Sequence, residues 1–271
     1  MALICDHVLA QYPWEAPLNI AARGNDCFEF VRSSDLVPPP TGLADWASAG
    51  VYVVCRSTFG EMLDRAWQKI ERGASSRVEM NLSGTFVPPG RRSLRVTHLV
   101  GASVGTASGP VFTITPRRSN QFSPVKVEGF AGGPAIVIVQ EEPVERILRL
   151  DTDREQTAQT REWAADLFRS GVHTVILVPA LPLELARKVV ETIAKGLRDD
   201  KPPDLFELLR VVTRCRNIIK SAKQESRWQE SRSLSDAEIR AALRELSLEV
   251  TFFSRSIHLQ AANQFTGFTH T

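Results

Sequence analysis

No apolar run in the sequence reaches the ~18 residues that cross a bilayer as a helix, so no transmembrane helix is expected. Neither sign of charge dominates: 33 Lys plus Arg against 31 Asp plus Glu leave a formal charge of +2. A nucleic-acid binder usually carries a clear basic excess, so that partner class is not expected. Cysteine is scarce. Cys5, Cys27, Cys55 and Cys215 stand at wide, unpatterned spacing, which is neither a disulfide framework nor a CxxC metal knuckle. All four read as buried free thiols. No pair of histidines shows metal-ligand spacing, and neither a metal nor another cofactor is expected. Internal repeats and low-complexity tracts are absent. Asp6 and Glu15 interrupt the N-terminal segment where a secretory signal needs an unbroken apolar core, so the protein is expected in the cytoplasm.

What is present is the composition of an ordinary globular protein, with 43% hydrophobic and 24% charged residues. The 271 residues suffice for one large domain or two small ones. Early in the chain two apolar runs, 18–22 and Val51 to Cys55, flank the Pro-rich turn 37–42. Glu61 to Arg72 follows as a helix that Gly73 stops, and Pro88-Pro89-Gly90 breaks the chain again. The middle is rich in strand signals. Leu94 to Val100 first alternates and then runs apolar, Val111 to Thr115 is short and β-branched, and Ala135 to Val139 follows the turn Gly132-Gly133-Pro134. Arg154 to Ser170 has helical periodicity and Gly171 to close it. Val172 to Val178 is a second continuous apolar strand, and Leu183 to Leu197 an amphipathic helix. Strands and helices alternating at this spacing predict a mostly parallel sheet covered by helices, with 94–100 and 135–139 adjacent and parallel.

After Pro202-Pro203 the character changes. Asp204 to Ala222 is a helix with a mixed face, and Arg210 to Arg232 holds seven Lys or Arg against two Glu. Ser235 and Glu238 have the spacing of a capping box before a further helix, while 263–271 is polar and expected to fray. The layout divides at residue 203: an α/β domain over 1–203 and a helical C-terminal extension over 204–271, packed on it.

The run from Arg161 to Ile219, with its helix, Gly turn, buried strand, Pro-containing loop and closing helices, resembles the C-terminal half of a CHAT domain. Tyr12-Pro13-Trp14-Glu15 is similar to the Pro-Trp-Glu element near the start of such domains. The resemblance covers about residues 8–220. It implies a caspase-like sheet and a relation to cysteine peptidases, in which a His just beyond one core strand is the base and a Cys just beyond the next is the nucleophile. In CHAT-type sequences the first strand ends in His-x-x-x-His-Gly, the second His being catalytic. This chain reads His98-Leu99-Val100-Gly101-Ala102-Ser103, with Ala102 at the catalytic position. Where the resemblance implies Ala-Cys after the second strand, the chain reads Gln140-Glu141-Glu142, with Glu141 or a neighbour in place of the thiol. A degenerate dyad implies a pseudopeptidase: a binding or scaffold module in a bacterial signalling or defence-type assembly. Its partners are expected to be proteins, docked on the C-terminal helices.

Other chemistry stays open beside this. His98 could still serve as a base, against a structural histidine hydrogen-bonded under a loop. Cys55 could pair with His98, giving an active caspase-like endopeptidase, although the order of the two residues is reversed relative to the family. His173 reads as a core residue with a hydrogen-bond partner, and His7, His258 and His270 have no partner pattern. The small-residue segment Gly101 to Gly109 reads as a flexible cleft loop; a phosphate cradle would need a lysine or GxGxxG spacing that it lacks. The pairs Arg91-Arg92 and Arg117-Arg118 read as solvated. The Arg210–Arg232 stretch reads as a solvated helix face or a surface for an acidic partner or RNA. Asp151 to Glu155 is expected to precede and cap a helix.

Overall fold

The computed structural model describes residues 2–4, 31–33, 49–68, 78–83, 86–87, 94–114, 124–130, 136–143, 150–197, 203, 205–229 and 250–254. Its centre is a run of parallel strands: β3 (Gly50–Val54), β4 (Val78–Asn81), β5 (Leu94–Thr106), β8 (Ile136–Glu141) and β9 (Thr174–Val178). Val, Ile and Leu dominate β3, the first half of β5, β8 and β9. These strands are buried on both sides, which is why their sequences run apolar instead of alternating. Together with β1 (Ala2–Ile4), β2 (Val31–Ser33) and β10 (Thr251–Ser254) they form one sheet in the order β1-β2-β10-β9-β8-β5-β3-β4. Strands β5 and β8 are adjacent and parallel, with Val96 opposite Ile136 and Gly101 opposite Glu141, as the apolar runs predict.

Period-2 alternation sends the side chains of each strand into two separate cores. Val51, Val53, Val96, Val100, Ile136, Ile138, Ile176 and Val178 meet the helices α1 (Ser57–Gln68), α3 (Leu183–Gly196) and α4 (Leu205–Gln229). Tyr52, Val54, Leu99, Val137, Val139, Val175 and Leu177 meet α2 (Leu150–Arg169) together with Phe112 and Ile114. The sheet is therefore the middle layer of a three-layer α/β arrangement. Helix α2 ends where expected: Gly171 takes φ +117°, a backbone that L side chains rarely adopt.

Four findings correct or extend the sequence reading. The segment 101–109 is not a loop: β5 continues to Thr106 and turns through Ala107 and Ser108 into β6 (Gly109–Thr113), which pairs in turn with β7 (Pro124–Val125). Small residues have weak strand propensity, and here cross-strand pairing decides the conformation. The C-terminal extension is not helical throughout, because Thr251 to Ser254 adds to the sheet antiparallel to β9. Four residues are too short a run to stand out beside a helical periodicity. Asp151 to Glu155 lies inside the first turns of α2 instead of ahead of them. His173 sits just before β9, buried, with its Nδ1 3.0 Å from Thr174 Oγ1.

Helix α4 shares its core with the sheet: Leu208, Val211, Val212, Cys215 and Ile219 are buried there. Arg216 Nε donates to Val250 O at 3.0 Å, joining α4 to the start of β10. Among the described residues no helix is long and apolar enough to cross a membrane. Cys55 and Cys215 are buried and free. Cys5, Cys27, His7, His258, His270, the 12–15 element, the 18–22 run, the 37–42 and 132–134 turns, the basic pairs at 91–92 and 117–118, and the capping box at 235–238 lie outside the described residues.

Candidate functional site

Because β5 and β8 are parallel neighbours, their C-terminal ends lie side by side, and Ala102 and Glu141, the two positions the resemblance marks, fall at that edge. Open α/β sheets offer ligands a crevice there. His98 does not reach it. It lies three residues before the end of the two-sided part of β5, fully buried, with its ring on the α1 side of the sheet.

Trp67, from the last turn of α1, donates its indole N–H to His98 Nδ1 at 3.1 Å, and its ring meets the imidazole edge-on at 5.9 Å. An indole can only donate, so Nδ1 is the acceptor and the ring proton resides on Nε2. Nε2 lies 2.9 Å from Gln140 Oε1, which accepts that proton. The three side chains thus form a directed chain, Trp67 to His98 to Gln140, that binds α1, β5 and β8 together. Burial pushes the His98 pKa down to about 4, the hydrogen bond to Gln140 opposing this only in part. A neutral imidazole with both nitrogens engaged is a structural group and cannot take a proton from a nucleophile at the edge.

Cys55 follows β3 on the same face of the sheet as His98. The register places Val53 opposite His98 and Val54 opposite Leu99, so Cys55 stands one strand over and two residues further along. Burial pushes its thiol up to about 11, so at neutral pH it is a thiol and not a thiolate. The two candidates therefore share a core without forming a dyad.

Ala102 is half-buried and begins the ribbon, paired with Thr113. Just before it, Gly101 passes so close to the β6 backbone that a Cβ would stand 2.1 Å from Thr113 O. Glu141 occupies the neighbouring position on β8 and is buried; its Oε2 accepts the backbone N–H of Ala180 at 2.9 Å. The carboxylate ties the end of β8 to the chain leaving β9.

The next residue, Glu142, donates its amide to Gly101 O at 2.8 Å and pairs its carboxylate with Arg56 at 2.8 Å. Arg56 follows Cys55 and stands over the Phe59 ring, 5.4 Å from its centroid. Burial raises the Glu142 pKa, and the Arg56 charge and hydrogen bond work against that rise. Trp67, Gln140, Arg56 and Glu142 carry the geometry of this edge; the sequence reading reached Gln140 and Glu142 only as neighbours of Glu141, and Trp67 and Arg56 not at all. Their partners lie 31, 42 and 86 residues away, beyond the reach of any local signal.

Chemically the edge offers an ion pair, a carboxylate engaged by a backbone amide and a small side chain at position 102. Among the described residues no three His, Cys, Asp or Glu side chains come together as a metal site. A scan against protein-family models and a search of curated proteins find no match to the chain.

Proposed function

We propose that the protein is a non-catalytic, CHAT-like pseudopeptidase with a caspase-like sheet, working as a binding or scaffold module in a bacterial signalling or defence-type assembly. The observation that carries this is the state of the strand ends where such a peptidase keeps its dyad. The side chains at the two family positions are the methyl of Ala102 and the carboxylate of Glu141, already bound to Ala180 N–H. The one histidine on the strand has both nitrogens engaged in the core. The adjacency of β5 and β8 supports the resemblance, since the family draws its base and nucleophile from neighbouring strands. Buried free thiols at Cys55 and Cys215 suit a reducing compartment, and we assign the module to the cytoplasm on that ground. Its partners are proteins, and the C-terminal helices are their docking side.

The test is a peptide carrying a thiol-directed electrophile, presented to the native protein. Cys55 remains unlabelled in the expected result. Stoichiometric labelling of Cys55 that is lost in His98→Ala, in a variant shown by circular dichroism to be folded, would establish an active cysteine peptidase instead. Cys55→Ser identifies the labelled residue in either case.

A further inference from the structure

Helices α3 and α4 cover one face of the sheet and run antiparallel. Cys215 Sγ lies 3.8 Å from Val189 O, while Gly196, further along α3, lies against Val211, earlier on α4. The apolar side of each helix is buried, so what these helices show outside is set by their polar positions. Over residues 183–197 and 205–222 there are seven Lys or Arg and three Glu. The whole chain is only +2, so this layer holds more positive charge than the entire protein and the remainder is net acidic.

Lys188 and Lys195 are two turns apart on α3, and Arg210 and Arg214 one turn apart on α4, all four exposed. Lys220 extends the exposed set. Arg187 is paired with Glu184, whereas no carboxylate among the described residues pairs with these five. Five cations with no carboxylate partner among the described residues repel one another across this two-helix layer, and an anionic partner would relieve that repulsion.

We infer that the outer face of α3 and α4 is a docking surface for an acidic segment of a partner protein, engaged through Lys188, Lys195, Arg210 and Arg214. Charge complementarity selects the sign of the partner, and the three interleaved glutamates select its class. Glu184, Glu191 and Glu207 interrupt the continuous positive path that a phosphate backbone follows, whereas a protein segment of mixed charge can match both signs. The inference rests on the binding-module reading and names its partner. Its readout is independent of thiol labelling, so either can fail alone.

The experiment measures binding of a fluorescent oligoglutamate peptide to the full chain by anisotropy. The intact protein binds the peptide, and binding weakens as salt is raised. Arg210→Glu with Arg214→Glu weakens it about tenfold or more, and Lys188→Glu with Lys195→Glu acts in the same direction. These positions are exposed, so circular dichroism is expected to show unchanged folding. Lys126→Glu, at an exposed lysine just after β7, leaves binding unchanged. Absence of peptide binding at low salt, equal weakening by Lys126→Glu, or tighter binding of duplex DNA or RNA than of the peptide would each overturn the inference.

Discussion

Strand β5 lives in two environments, and the difference between them explains most of what this edge of the molecule can do. From Leu94 to Val100 every residue is buried, with a core on either side of the sheet. From Ala102 onward the same strand leaves the parallel sheet, pairs with β6, and ends exposed at Gly105 and Thr106. His98 belongs to the first half and Ala102 to the second. A group that must meet substrate belongs in the second half; a group in the first is held by its neighbours and shielded from water. The three residues between His98 and Ala102 separate an imidazole locked as a core strut from a position where one could titrate.

The largest expected effect breaks the first half. Trp67 is 1% exposed, and its indole N–H is the donor to His98 Nδ1. Trp67→Ala removes the indole from the core and leaves that nitrogen without a partner, at a cost of about 4 kcal/mol. Val104→Ala, in the half-buried second half, is expected to cost less than about 1 kcal/mol. Urea denaturation at constant m-value reads both. Equal losses would show that the two halves are not energetically distinct.

Acid probes the same strut more gently. His98 is held near 4 in the folded protein against an ordinary value of 6.5, so the unfolded chain binds the proton more readily. Stability from this group is fully present above about 6.5 and is lost as pH falls from there to about 4, by roughly 3 kcal/mol in total. Below that range the group contributes no further change. His98→Leu loses stability at all pH values because Trp67 and Gln140 lose their partner. The informative readout is the slope between pH 6.5 and 4, which is expected to be shallower in the variant than in the parent. An unchanged slope would mean that His98 already carries its proton within the fold.

Much of this architecture was legible in the residues themselves. Continuous Val-Ile-Leu runs marked β3, β8, β9 and the first half of β5, because burial on both faces requires apolar side chains at every position. The adjacency of β5 and β8 followed from the same runs. The ribbon did not show, since Gly101-Ala102-Ser103 and Gly105 have the propensities of a turn and only their cross-strand partners hold them extended. Strand β10 was hidden by its length. At the edge, the departures at Ala102 and Glu141 could be read by position, but the roles of Trp67, Gln140 and Arg56 depend on contacts across 31 to 86 residues. Periodicity describes a segment's own faces; it does not say which distant segment meets them.

The smallest effect is expected at Ala102, and it sharpens the comparison best. The backbone of Ala102 is fixed by pairing with Thr113, while its side chain is half-buried at the strand end. Ala102→His therefore adds an imidazole where the ribbon gives it access to solvent, without the core on both sides that encloses His98. The change in stability is expected to stay within about 1 kcal/mol, as for substitutions away from a packed core. Its ring should titrate near the ordinary value of about 6.5, because the desolvation that lowers His98 is largely missing there. Two-dimensional NMR of the ring carbons would show, beyond the resonances shared with the parent, one new transition near the ordinary value from position 102, while that of His98 stays near 4. A histidine at 102 titrating as low as His98 would mean that the ribbon half is as dry as the core half. The contrast drawn between the two halves of β5 would then be wrong.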